Sequence, residues 1–392
     1  MKYDFDKEID RSGSYSLKYD GIKTIWKKDD LLPMWVADMD FATPPFILET
    51  LKRRLENPIL GYTYAHPGYY RAVINWINNR YDLNVQAPYL HYVTGVVNGI
   101  NFALALFTEK RDKILILSPV YHPFRHSIEG KDREAVVSPL RYRNGTFEID
   151  FEDFRHKTRQ CKAFILCNPH NPGGIVWKKE VLVKMAEICA ENNCLVISDA
   201  IHADLTLKPY RHHPFASVSE EARQNSITFM SPTKAFNMPG ITGAHVIVFN
   251  DDLREQYFNY LMSCDLDIGN VFSYIAVQAA YEQGEEWLKQ LKSYLSGNID
   301  YVLSFIENRL PRIKAIRPQA SYLIYLDCRG LGFHSDEELE GFFVDKARLA
   351  LNTGVTFGPE GWGFMRLNAG CPRSVLQEAM QRLEEAYGTL QF

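Results

Sequence analysis

Several familiar signals are missing from this 392-residue sequence: it has no apolar run of membrane-spanning length, no CxxC pair, no basic surplus and no common phosphate-loop motif. The missing span argues against a membrane protein. A net charge of −4 gives no reason to expect nucleic acid or an anionic membrane as partner. Neither GxGxxG nor GxxxxGK[ST] occurs, so a dinucleotide fingerprint and a P-loop are both excluded. The opening "MKYDFDKEIDRSGSYSLKYD" is charged from residue 2 and has no apolar core, so no secretory leader is expected. Seven scattered cysteines, Cys161, Cys167, Cys189, Cys194, Cys264, Cys328 and Cys371, read as reduced and mostly core-filling in a cytoplasmic protein. Side-by-side His212 and His213 have no third ligand at metal spacing and read as a surface loop, so no metal is expected. "NGT" at 144–146 reads as a hairpin turn.

What is present is an alternation of short apolar runs with longer helical patterns. "YLHYVTG" (89–95), "KILILSP" (113–119), "AFILCNP" (163–169), "CLVISDAIH" (194–202), "SITFMSP" (226–232) and "AHVIVFN" (244–250) read as strands, with a helix over about 97–106 after the first. Buried strands interleaved with helices imply an α/β fold, a mostly parallel sheet covered on both faces. Near residue 285 the pattern changes to a long amphipathic helix, then "ASYLIYLDC", a helix around 336–350, "GFMRLNAG" and a last helix from about 372. A large domain over 46–285 and a smaller α+β domain made of 1–45 with 286–392 are expected.

In open α/β sheets ligands lie beyond the carboxyl ends of the strands, and the unusual residues stand there. Gly95-Val96-Val97 is a glycine turn opening a helix, either plain punctuation or an anion site. Tyr121 is either a packed core tyrosine or a plate for a flat ring. In "CNPHNPGG" two Asn-Pro steps force extended backbone and aim Asn171 at the cleft. Asp199 ends a buried strand and needs a cationic or strong donor partner, while His202 is either a satisfied core histidine or a second site residue. Ser231 closes the next strand, and Lys234 follows three residues later, where a lowered pKa would make it a Schiff-base nucleophile. A phosphate, a planar ring, a phenolic oxygen, a ring nitrogen and an aldehyde would engage this set together, as pyridoxal 5′-phosphate (PLP) offers them.

The sequence resembles the fold-type I, class I/II aminotransferase superfamily, and within it the cystathionine β-lyase-like C–S lyase branch (MalY/PatB type). The resemblance runs through "MWVADMDF", "GYTY", "SPVYHPF", "CNPHNPGG", "SDAIHADL", "SPTKAFNMPG", "ASYLIYLD" and "GFMRLNAGCP". It implies that Lys234 binds the cofactor covalently, Asp199 faces the pyridine nitrogen, Asn171 the phenolic oxygen and Tyr121 the ring, with His202 also at the cofactor. Gly95, Val96, Val97 and the Ser231 hydroxyl would hold the phosphate, joined by Tyr62 across a homodimer interface. Arg366 would clamp the substrate carboxylate, and Ala37 and Asp38 would border the substrate pocket. Ala200, Thr233, Ala235 and Gly173 depart from the usual pattern, and Ala200 and Ala235 leave the surroundings of the site and substrate preference open.

The implied activity is α,β-elimination of L-cystathionine or other cysteine S-conjugates, a small amino-acid substrate, to pyruvate, ammonia and a thiol. An aminotransferase of the same fold is the alternative, and a non-catalytic binding module a third reading.

Overall fold

The computed structural model describes residues 2–391. We number the strands of its two larger sheets in chain order. The first sheet holds β1 (Leu90–Val93), β2 (Lys113–Ser118), β3 (Glu134–Pro139), β4 (Ala163–Cys167), β5 (Leu195–Asp199), β6 (Ser226–Met230) and β7 (Ala244–Ile247). Their order across the sheet is β1-β7-β6-β5-β4-β2-β3. Only β7 runs against the rest, antiparallel to both β6 and β1. The central strands β4, β5 and β6 are buried at every residue. Their near-continuous Val, Ile, Leu and Phe content follows from helices covering both faces.

Helix α1 (Val96–Phe107) lies close on this sheet because Gly99 has no side chain. A Cβ there would come within 2.4 Å of the Phe229 ring on β6. The turn into α1 needs Gly95, whose φ of +106° is a conformation that L side chains rarely adopt.

The second sheet is antiparallel: β8 (Lys314–Ile316), β9 (Leu323–Asp327), β10 (Asn352–Thr353) and β11 (Phe364–Asn368), ordered β8-β9-β11-β10. Residues of helices α2 (Glu285–Arg309) and α3 (Arg373–Tyr387) share its core. The N-terminal segment joins this lobe where Leu32–Pro33 pairs with Leu349–Ala350. From there, residues 34–41 run as a strap toward the large sheet.

Two local expectations are corrected. The helix expected around 336–350 ends early: Asp336–Gly341 is α-helical, Phe342–Lys346 is a wider π turn, and Leu349–Ala350 is already a strand. His212 is buried, not on a surface loop, and packs edge-on to Tyr81 at 5.5 Å. The 144–146 turn is a hairpin, with Asn144 and Gly145 both at positive φ between paired residues 141–143 and 146–148. Six cysteines are buried, Cys264 is exposed, and all seven are free. Among the described residues no helix is long and apolar enough to cross a membrane, and no cluster of His, Cys, Asp and Glu could hold a metal.

Candidate active site

Five strand ends meet around one cavity of about 220 Å3. β1 and the turn after it contribute Thr94, Gly95, Val96 and Val97; the loop after β2 contributes Tyr121; the end of β4 and its loop contribute Cys167 and Asn171. Asp199 and His202 come from the end of β5, and Thr233 and Lys234 from the turn after β6. Ala37 of the strap closes the remaining side. The first N–H groups of α1 have no carbonyl one turn back to accept them, so they point their positive end at this space.

Asp199 is 3% exposed. Its Oδ1 accepts the Ile201 N–H at 2.9 Å. Burial pushes its carboxyl up to about 6, with the Ile201 N–H and the charge of Lys234 acting the other way. A carboxylate so raised lacks a full cationic partner within the protein, and a protonated ring nitrogen would supply one. His202 lies beside it with Nδ1 unpartnered, and burial lowers its imidazole to about 3, so it is neutral.

Lys234 Nζ donates to the Ala37 carbonyl at 2.7 Å. Burial lowers its ammonium to about 8, Arg366 acts in the same direction, and Asp38 and Asp199 oppose them. Near neutral pH a useful fraction is therefore the free amine, the form that attacks an aldehyde.

Arg366, on β11, is 3% exposed and ties the second sheet to the cavity. Its Nη1 donates to Asn171 Oδ1 at 3.0 Å, and its Nη2 donates to Trp35 O at 3.0 Å and Asn352 Oδ1 at 2.7 Å. The guanidinium lies 4.6 Å from the centre of the Phe357 ring. Its Nε is buried without a partner, and burial lowers the guanidinium to about 10. With Asn171 Oδ1 occupied by Arg366, the amide of Asn171 has its N–H2 left to donate to a ligand oxygen.

Two site residues, Ser231 and Asp38, stand differently from what the sequence led us to expect. The Ser231 hydroxyl is absent from the cavity wall: it donates to Gly243 O at 2.7 Å and accepts the Thr233 N–H at 3.1 Å. With that proton committed, the 2.7 Å contact between the two hydroxyls is donated by Thr233, and Thr233 is the one lining the cavity. Asp38 also turns away, its carboxylate held by Arg11 at 2.7 and 3.1 Å. Tyr62 is fully exposed on a segment without regular structure and does not line the cavity of its own chain.

Sequence reasoning missed Thr94, Asn98 and Thr242, which stand near Gly95, and Asn352 and Phe357, which support Arg366. A signal existed for Thr94 and Asn98, which flank the glycine turn. None existed for Asn352, whose contact with residue 366 forms only on sheet pairing.

These residues fit PLP. The cavity offers an unpaired buried carboxylate, a lysine with lowered pKa, an amide with free donors, an aromatic ring and a helix N-terminus. A model of the family "Aminotransferase class I and II" matches residues 29–383. Cystathionine beta-lyase PatB of Bacillus subtilis (strain 168) is 39% identical over 384 residues, 97% of this chain and 99% of that protein. Cystalysin of Treponema denticola, whose crystal structure contains pyridoxal 5′-phosphate, matches with a TM-score of 0.96 and 33% identity, covering 100% of each chain. The PLP-bound C–S lyase of Staphylococcus hominis matches at 0.92 with 34% identity over 98% of each chain. By sequence and by fold, the chain belongs to the class I and II aminotransferase family.

Proposed function

We propose that this protein is a PLP-dependent carbon–sulfur β-lyase that converts L-cystathionine, or another L-cysteine S-conjugate, with water to pyruvate, ammonia and a thiol. The observation that carries the reading is the convergence of Lys234, Asp199 and Asn171 on one small cavity, with Arg366 bonded to Asn171 beside it. The names of its relatives favour the lyase over the aminotransferase.

When bound, pyridoxal phosphate supplies the electron sink that stabilises a carbanion at the amino acid's Cα. The residues of the chain do the rest. Lys234 would anchor the cofactor and, as the free amine, would take the Cα proton on Nζ. Asp199 accepts a hydrogen bond from the ring N–H and so keeps that nitrogen protonated. The Asn171 amide would donate to the phenolic oxygen, Tyr121 would cover the ring and exclude water, and the N–H groups after Gly95 would bind the phosphate. Arg366 would hold the substrate carboxylate, its Nε and the second Nη1 proton being the donors still free. With a thiolate on Cβ, proton removal by Lys234 is followed by departure of the sulfur.

We assign Tyr62 to the site of a second copy. Exposed Ile59, Leu60 and Tyr64 flank it on the same segment, as an arm that docks on another chain would require. The seven free thiols fit a reducing compartment such as the cytoplasm.

Incubation with L-cystathionine tests the assignment. Pyruvate and homocysteine formed in equal amounts, without added keto acid, support the lyase. A requirement for keto acid, with conversion of the cofactor to its amine form, would make it an aminotransferase.

A further inference from the structure

The strap over residues 36–41 is held far more firmly than a loop that merely borders a pocket. Asn237, three residues after Lys234, accepts the Met39 N–H at 2.9 Å and donates to the carbonyls of Met39 and Phe41 at 2.8 and 2.7 Å. Asn368 donates to the carbonyls of Val36 and Asp38, each at 2.6 Å. Beneath lies a cluster of four charges. Arg11 spans Asp38 and Asp40 at 2.7 and 2.8 Å, and fully buried Lys18 bonds Asp40 at 2.7 Å with Asp38 4.0 Å away. All of this fixes one carbonyl, that of Ala37, which accepts both Lys234 Nζ at 2.7 Å and the Tyr322 hydroxyl at 2.9 Å.

We propose that Asp38 is a positioning residue for Lys234: held by Arg11 and Lys18, it fixes the Ala37 carbonyl against Nζ and sets a negative charge behind that contact, favouring the ammonium form whenever Nζ is not bonded to the cofactor. This rests on Lys234 being the cofactor anchor. The other groups facing Nζ are Asp199 from β5, which favours the ammonium, and Arg366 from β11, which opposes it. Neutral His202, Tyr121 and Tyr322 complete the surroundings. Of the strap's two carboxylates Asp38 is the one that acts on Lys234, and Arg11 is the partner that neutralises it.

The test is competitive acetylation of the full-length chain with acetic anhydride across pH, before cofactor is added, with labelling of the Lys234 peptide read by mass spectrometry. The wild-type midpoint is expected near 8. In Asp38→Asn it should fall by about half a unit or more, roughly threefold in the amine-to-ammonium ratio. In Arg11→Met, which leaves Asp38 less neutralised, it should rise. The rate at which added pyridoxal phosphate develops its visible absorbance should shift along the pH axis in the same opposed directions. If both variants move the midpoint the same way, or neither moves it, Asp38 only holds the strap and the proposal is overturned. Should Asp38→Asn fail to fold, the rise in Arg11→Met decides alone. Labelling requires no turnover, so opposed shifts in a chain that does not eliminate thiol would sink the lyase reading and leave this one standing.

Discussion

Replacing Asp199 with asparagine removes one charge and leaves the shape of the site nearly unchanged. Burial has moved this carboxyl from an ordinary 3.8 to about 6. At 1.36 kcal/mol per unit, the desolvated carboxylate lies about 3 kcal/mol above its comfort in water. A ring N–H donated to it recovers much of that cost, and a charge-assisted hydrogen bond contributes about 1.5–3 kcal/mol. Asparagine offers a neutral acceptor and cannot hold the ring nitrogen protonated. We expect Asp199→Asn to weaken cofactor binding by about 2–3 kcal/mol, roughly 30- to 160-fold, with a larger loss in kcat because the electron sink is impaired. The assay is a titration of cofactor-free chain with pyridoxal phosphate, followed by absorbance, beside steady-state pyruvate formation. A Kd within threefold of wild type together with undiminished turnover would refute the role given to Asp199.

Two further outcomes follow from geometry. Arg366→Lys loses the planar fork and leaves Asn171 and Asn352 short of a donor, so kcat/KM should fall by about 30- to 160-fold, the equivalent of about 2–3 kcal/mol; a change below threefold in pyruvate kinetics would contradict the carboxylate clamp. Lys18→Met leaves Asp40 dependent on Arg11 alone, and removal of one partner from a buried ion pair costs about 3 kcal/mol. Urea unfolding should register that loss, and a loss under about 1 kcal/mol would show the cluster to be energetically idle.

The strands that build the site were legible because burial on both faces demands apolar, β-branched residues, and each run ends at a glycine, a proline or an acid. Val196 and Ile197 then Asp199, or Ile227 and Phe229 then Pro232, mark where a strand ends and chemistry can begin. The reversal of β7 left no such mark, since a buried strand reads alike in either direction. The π turn at 342–346 was equally hidden: the apolar spacing around Phe342 and Phe343 suits a helix, and only packing sets where it widens. Chemistry-bearing residues at strand ends were found one by one. Those acting through distant contacts were not. Arg11 meets residues 27 and 29 positions away, and Lys234 meets Ala37 across 197, and no periodicity encodes either pairing. Ser231 and Thr233 differ for a subtler reason, because either hydroxyl could have faced the cavity until Gly243 O claimed the serine's proton.

Lys234 is the residue on which the account depends. Hydride reduction of the holoenzyme with sodium borohydride, followed by digestion and peptide mass spectrometry, fixes the cofactor wherever it is bonded. One phosphopyridoxyl group per chain is expected, carried on Lys234 and absent from Lys234→Ala. A label on another lysine, or none at all, would contradict it.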